Sequence, residues 1–158
     1  MKKYTLLFII ILTAFAACKK AEKAKEKPEI AFAGLSHNTV VNGDTKDTLL
    51  INLRYTIAAA AVGTLGDSAY TQVHIIDKRD CVVGNQPPIL FPDEVEQNLP
   101  EGEANVSGNI TLRLPAANFF VLCPDRPNGD TVTYEIYLKG KNGVESNKIT
   151  VPEIYIVP

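Results

Sequence analysis

Apolar side chains recur at every second position of residues 47–57, and this period constrains the fold more than any other feature of the chain. The positions concerned are Leu49, Ile51, Leu53, Tyr55 and Ile57. Because successive side chains of a β-strand point to opposite faces, the spacing predicts a strand that buries one face. Burial on one face is typical of antiparallel sheets, so the stretch predicts an antiparallel, all-β domain.

Shorter segments repeat the two-residue period, and turn residues separate them. We predict further strands over residues 29–36, 70–77, 89–91 and 106–114, and a closing hairpin after residue 134. Residues 58–66 are predicted to form a loop, and the apolar part of the connection 115–130 to pack over one end of the core. Together these segments predict a sandwich of two antiparallel sheets with about seven strands.

The closing hairpin permits a specific prediction of register. Asn-Gly is the strongest short signal for a two-residue hairpin turn, and it occurs at Asn142 and Gly143. If these residues form the turn, paired residue numbers sum to 285. This register places Ile136 opposite Ile149 and Tyr134 opposite Val151, with both pairs on the inner face. Near Pro152 the apolar phase changes from odd to even positions, which indicates a bulge, and a proline at a bulge predicts an edge position for the final strand.

Residues 1–17 have the three parts of an export signal: Lys2 and Lys3, an apolar run over residues 6–12, and small residues before Cys18. The apolar run is shorter than the roughly 20 residues that a membrane-spanning helix needs. With its Ala-Ala-Cys ending, the segment resembles a bacterial lipoprotein signal. The resemblance implies that residues 1–17 are removed and that Cys18 carries diacylglycerol and palmitate. An ordinary export signal followed by a chance cysteine is the alternative.

Residues 18–27, which we name the leash, join Cys18 to the domain. Residues 19–27 contain only Lys, Glu and Ala, so they have little to bury and are predicted to be a solvated linker. Contact of their lysines with anionic lipid headgroups is the alternative. The domain, residues 28–158, carries nine basic and 16 acidic residues, a formal net charge of −7. Because phosphate binding requires clustered Lys and Arg, this charge argues against nucleic acid as a partner.

Residues 134–147 resemble the final hairpin of fibronectin type III and immunoglobulin-like sandwiches. The whole domain is similar to small single-domain outer-membrane lipoproteins of the Bacteroidota, in residues 28–30, 50–55, 75–79 and 146–154. Our working hypothesis is a non-catalytic binding or assembly module, periplasmic or surface-facing, that contacts an envelope protein or a glycan. The chain departs from these families because it has no tryptophan, and because its loop after Tyr55 lacks the Asp and Gly that suggest calcium. No metal site is therefore carried over.

The chain offers few residues for catalysis or metal binding. His37 and His74 have no Cys, His or Asp at metal-ligand spacing, and His74 falls on the outward face of its predicted strand. Acidic residues cluster over residues 93–103 without a base, which predicts a solvent-facing loop. We predict no catalytic, metal-binding or cofactor-binding residue. The alternatives are a glycan hydrolase that uses the carboxylates of the acidic loop and a structural subunit of an envelope complex.

Three tripeptides resemble the Asp-Ser/Thr-apolar acceptor for O-glycosylation of exported Bacteroidota proteins. They place the modified hydroxyl on Thr48, Ser68 or Thr131. All three lie in predicted turns or at strand starts, which favours modification of at least one, although such short patterns also arise by chance.

Cys81 and Cys123 remain once Cys18 is assigned to the lipid, and an exported protein can form disulfides. Both cysteines lie in connecting segments that a sandwich can bring together at one end. We therefore predict a Cys81–Cys123 disulfide, which would hold the apolar connection against the core. Two buried free thiols, packed as small apolar side chains, are the alternative.

Overall fold

The computed structural model describes residues 23–63, 70–82, 86–90 and 102–158, and almost all of its regular structure is β. The strands are β1 Glu29–Leu35, β2 Thr39–Val41, β3 Thr48–Ala58, β4 Gln72–Asp77, β5 Ile89–Leu90, β6 Asn105–Pro115, β7 Asp130–Val132, β8 Tyr134–Lys139, β9 Ile149–Thr150 and β10 Ile154–Val157. A 3₁₀ turn at Ala59–Ala61 follows β3, in the segment predicted to be a loop. A one-turn helix, α1, follows β6 at Ala116–Phe119.

The strands form three hydrogen-bonded sheets around one hydrophobic core. The strand orders are β1-β3-β6, β5-β4-β8-β9 and β2-β10-β7. Each sheet contributes fully buried side chains to the same core, for example Leu53, Ile75 and Ile154. The prediction of an all-β sandwich is confirmed. The described residues form ten strands in three sheets instead of about seven strands in two, and β2 pairs with β10 in parallel. Most of the additional strands have two to four residues, which is too short for a two-residue period to be recognised.

β3 is the central strand of the first sheet, and its predicted alternation is confirmed. The odd-numbered residues 49–57 are at most 5% exposed. β6 pairs with β3 antiparallel over all eleven residues, from Thr48 opposite Pro115 to Ala58 opposite Asn105. This long pairing defines the length of the sandwich and separates its two ends.

The closing hairpin has the predicted register in its strands, because Ile136 pairs with Ile149. The turn itself differs from the prediction. The N–H of Gly140 donates to the carbonyl oxygen of Val144 (3.0 Å), which leaves a three-residue loop in which Gly143 has a φ of 79°. A three-residue loop ending in a left-handed residue shifts the pairing near the turn by one position, so that Lys139 lies opposite Glu145. The pairing returns to the predicted register before Ile149.

Asn147 lies where this shift in pairing occurs, and its side chain forms hydrogen bonds with the edge strand of the neighbouring sheet. Asn147 Oδ1 accepts the N–H of Ile30 (2.9 Å), and Asn147 Nδ2 donates to the carbonyl oxygen of Ile30 (2.8 Å). The amide side chain thus pairs with β1 as a backbone peptide group would. It joins the β1 edge of the first sheet to the chain that leads into β9.

The prediction that the final strand lies at a sheet edge is wrong. β10 is the middle strand of its sheet, between β2 and β7. The change of apolar phase near Pro152 is real, because Ile149 and Val151 are followed by buried Ile154 and Ile156. It arises where the chain leaves the edge strand β9 of one sheet and enters the centre of another, and Pro152 lies in that crossing.

The connection after α1 packs over one end of the core, as predicted. Phe120 is fully buried and meets the ring of Tyr134 edge to face, with 6.0 Å between ring centroids. The Tyr134 hydroxyl donates to the carbonyl oxygen of Phe119 (3.0 Å), and burial raises the pKa of Tyr134. Val121 is the exception in this segment, since it is 55% exposed.

Candidate functional site

The sandwich has two ends that differ in chemistry. β3 and β6 pair over eleven residues, so the ends lie about 33 Å apart at roughly 3.3 Å per residue. We name the end at Ala58 and Asn105 the leash end, because the leash bonds there. We name the end at Thr48 and Pro115 the disulfide end.

At the leash end, Asn105 holds the described part of the leash. Asn105 is 5% exposed, and its Oδ1 accepts the N–H of Lys25 at 2.7 Å. Its Nδ2 donates to the carbonyl oxygen of Lys23 at 3.1 Å. Residues 23–27 are exposed, so the described part of the leash is bound through its backbone and presents three lysines and Glu26 to solvent.

At the disulfide end, Cys81 and Cys123 form the predicted disulfide, with 5.8 Å between their Cα atoms. The bridge joins the segment after β4 to the connection after α1. It closes a loop with a sequence separation of 42 residues, which stabilises the fold by about 4 kcal/mol on the chain-entropy model.

A buried ion-pair network lies beside the disulfide. Arg79 donates from Nη2 to Asp77 Oδ2 (2.7 Å) and from Nη1 to Asp130 Oδ2 (3.0 Å). Its Nη1 also donates to the carbonyl oxygen of Val121 (2.9 Å). The side chains of Arg79, Asp77 and Asp130 are 4%, 0% and 2% exposed. The network therefore joins β4, β7 and the connection after α1 in the interior.

Arg126 extends the network to the surface. It donates from Nη1 to Asp130 Oδ1 (3.0 Å) and from Nη2 to Asp80 Oδ1 (2.7 Å). Burial by itself would raise the pKa of Asp130, but hydrogen bonds from Arg126, from the N–H of Thr131 and from Arg79 outweigh burial and lower the pKa below its usual value. Asp130 is therefore ionised at neutral pH.

The sequence prediction missed this network, although half of its signal was present. Asp77 and Arg79 continue the inward phase of β4 beyond Val73 and Ile75, and two opposite charges on the buried face of a strand indicate an interior ion pair. Asp130 is 51 residues from Arg79, and no local pattern connects them.

Two concave surfaces adjoin the network. A cavity of about 340 Å³ lies against the disulfide and the Asp77–Arg79 pair, and Phe119 and Val121 line its other side. An open groove of about 530 Å³ lies where β7 meets β10, on the outer face of their sheet. The disulfide end thus combines rigid interior bonds with two surfaces of a size that ligands occupy.

The two histidines have ordinary structural partners. His37 Nδ1 lies 2.9 Å from Ser36 Oγ, and His37 Nε2 lies 3.3 Å from Asp47 Oδ2. Ser36 Oγ also accepts the N–H of Leu50 (3.0 Å). These hydrogen bonds join the β1–β2 turn to the start of β3. His74 stacks on the ring of Tyr137, with 4.6 Å between ring centroids. Burial, followed by the nearby charge of Lys139, lowers the pKa of His74, so its ring is neutral at neutral pH.

The predicted glycosylation residues lie in different surroundings. Thr131 is exposed on β7, and its partner in the tripeptide, Asp130, is buried in the ion-pair network. Thr48 is half-buried at the start of β3. Ser68 lies outside the described residues, as do Cys18 and the acidic loop up to residue 101.

One cluster has the residue types of a metal site, namely Cys81, Cys123 and Asp130. Metal binding by cysteine requires thiolates, and here both sulfurs belong to the disulfide, so a single carboxylate is left. This cluster is not a set of metal ligands. Among the described residues, no helix has the length and apolar character needed to cross a membrane.

Comparison of the chain with protein-family models, with curated proteins and with solved structures finds no match. Its function is therefore inferred from its residues and their geometry.

Proposed function

We propose that this chain is a lipid-anchored binding module of a bacterial outer membrane, without catalytic activity, attached through Cys18 and presenting its disulfide end to an envelope protein or a glycan. The observation that carries the proposal is that the two ends of the domain have different attachments. The leash bonds to Asn105 at one end, and the cross-linked loops lie about 33 Å away at the other.

The position of Asn105 limits how far the domain can stand from an anchor. The chain from Cys18 to the bonded residue Lys23 spans at most about 18 Å when fully extended. A lipid on Cys18 would thus keep the leash end close to the bilayer. Two or three acyl chains, each methylene contributing about 0.8 kcal/mol, make a stable anchor.

The fold and the surface charge are consistent with this role. An all-β sandwich is the architecture implied by the resemblance to lipoproteins with a fibronectin type III or immunoglobulin-like domain. A sandwich presents loops at its two ends, and one end is occupied here by the leash. The net charge of −7 over residues 28–158 favours partners other than nucleic acid.

The anchor is tested with Cys18→Ser and a matched control, Cys81→Ser with Cys123→Ser, which removes the other two cysteines. We expect the wild type and the control to incorporate a palmitate analogue and to float with membranes in a density gradient. Cys18→Ser should do neither and should appear in the soluble exported fraction. If Cys18→Ser floats with membranes as the wild type does, the lipid anchor is refuted.

A further inference from the structure

The groove where β7 meets β10 contains an exposed aromatic ring beside a threonine hydroxyl. Tyr155 is 43% exposed, and its neighbours Ile154 and Ile156 are buried, so its ring stands on the outer face of the sheet. In the strand register Tyr155 pairs with Thr131 of β7, and both residues line the groove. An exposed ring with a hydroxyl beside it can pack against an apolar face and hydrogen-bond the polar edge of the same ligand.

The groove is rigid on its β7 side. Arg126 and Asp130 bond to each other there, and both are tied to further partners in the ion-pair network. Gly129 has a φ of 136°, a conformation that L side chains rarely adopt, and a Cβ at this position would lie 3.4 Å from the carbonyl oxygen of Ile156. Glycine therefore permits the backbone path that borders the groove. A rigid surface lowers the entropic cost of binding.

The charges in the groove are already paired. Its charged lining residues are Arg126 and Asp130, which bond to each other, and Arg126 also bonds to Asp80. The formal charges of the ion-paired side chains, two arginines (79 and 126) against four aspartates (77, 80, 125 and 130), sum to −2, so an anion gains little here. The remaining polar side chains of the lining are the amide of Asn128 and the hydroxyls of Thr131 and Tyr155. The Tyr155 hydroxyl donates to Glu153 Oε2 (3.4 Å). This lining suits an uncharged ligand with many hydroxyls.

We propose that this groove binds a neutral oligosaccharide, with a sugar ring packed on Tyr155 and its hydroxyls bonded to Asn128 and Thr131. A pyranose presents an apolar C–H face and a rim of hydroxyls, which matches a ring flanked by amide and hydroxyl groups. The volume of about 530 Å³ falls in the range of small-molecule sites. The inference rests on the proposed binding function and names its ligand class.

The test uses detergent-solubilised full-length protein and isothermal titration with four neutral probes: maltotriose, chitotriose, mannotriose and xylotriose. We expect saturable binding of at least one probe. Tyr155→Ala should raise the Kd of that probe about tenfold, because the stacking surface is lost. Tyr155→Phe should leave the Kd unchanged, because it keeps the ring. Tyr137→Ala is the matched control, since Tyr137 also faces outward but lies on β8, away from the groove.

A second variant, Asn128→Ala, changes an exposed loop residue and should weaken binding while the unfolding temperature stays unchanged. Binding of none of the four probes, or equal affinity in wild type, Tyr155→Ala and Asn128→Ala, would overturn the proposal. Equal loss in Tyr137→Ala would overturn it as well, because the effect would not belong to the groove. Membrane flotation through Cys18 is measured separately, so failure of the sugar site leaves the anchored module intact.

Discussion

At the scale of single residues, the three buried charges Asp77, Arg79 and Asp130 are held in place by hydrogen bonds to one another. Removing a charge from water costs several kcal/mol, and the cost is offset only where hydrogen bonds replace the lost water. Among the described residues, every buried side-chain nitrogen or oxygen has a hydrogen-bond partner. Because a change in loop position would leave a buried charge unpaired, the network favours one arrangement of the disulfide end.

The network gives stability a specific dependence on pH through Asp130. The folded pKa of Asp130 is lower than that of an unfolded aspartate, about 3.9, so the folded state binds fewer protons in the interval between the two values. Its contribution to the free energy of unfolding is complete above about pH 4 and is lost as the pH falls through the lower folded pKa. Asp130→Asn should therefore flatten the decrease of stability below about pH 4, as measured by urea unfolding at a series of pH values.

Glu103→Gln is the control for this measurement, because Glu103 is exposed and lies at the leash end, away from the network. It should keep the acid dependence of the wild type. An identical acid dependence in Asp130→Asn and the wild type would show that the Asp130 carboxylate does not gain from its three hydrogen-bond donors.

At the scale of elements, the pair β8 and β9 shows how a local signal can be correct in its strands and wrong in its turn. The apolar period selects which residues face inward, and this face is confirmed at Tyr134, Ile136 and Leu138, each fully buried. The turn length is decided by Gly143 in the left-handed conformation, which a three-residue loop requires at its last position. Asn147, which lies at the shift in pairing, then hydrogen-bonds to the backbone of β1 in the neighbouring sheet.

Ile136 provides the test of this inward face. Ile136→Ala should lower the free energy of unfolding by about 2 to 5 kcal/mol, because it removes a fully buried side chain and leaves a cavity. Thr150→Ala, an exposed change on the partner strand, should stay within about 0.5 kcal/mol of the wild type. Chemical denaturation measures both, and a loss at Ile136 as small as that of the control would mean that this face is not the core.

At the scale of the whole molecule, the two ends of the sandwich have opposite attachments. The leash end is bonded to Lys23 and Lys25 through Asn105. The disulfide end joins β4, β7 and the connection after α1 by the disulfide and by Arg79. The proposed anchor and the proposed binding surface are thus separated by the full length of β3.

This difference between the two ends predicts which end contacts a partner in intact cells. A photo-crosslinking amino acid at Asp125, on the disulfide end, should give a specific adduct with an envelope protein or glycan, because the proposed anchor would hold that end away from the bilayer. The same group at Glu103, an exposed position two residues before Asn105, should give lipid adducts instead. Denaturing gels separate the adducts. The proposed orientation would be contradicted if only position 103 gave partner adducts, or if both positions gave partner adducts in equal amounts.

The sequence by itself determined the parts of the structure that depend on neighbouring residues. The period of β3, the inward faces of β4 and β8, and the pairing of Ile136 with Ile149 were all predicted, because side-chain direction along a strand is a local property. The disulfide could be predicted as well, since two cysteines remained to be paired and export permits oxidation. The lipid on Cys18 stays a prediction, because that residue lies outside the described part of the chain.

Tertiary structure alone decided which distant residues meet. The position of β10 in the middle of its sheet, the bond between Arg79 and Asp130, and the groove beside Tyr155 all depend on segments that are far apart in the chain. Such contacts form when the buried faces of all the strands are packed together, and the phase of one strand does not specify its neighbours. The same phase change near Pro152 is compatible with a bulge at an edge and with a crossing between sheets, and only the packing of Ile154 and Ile156 into the common core distinguishes them.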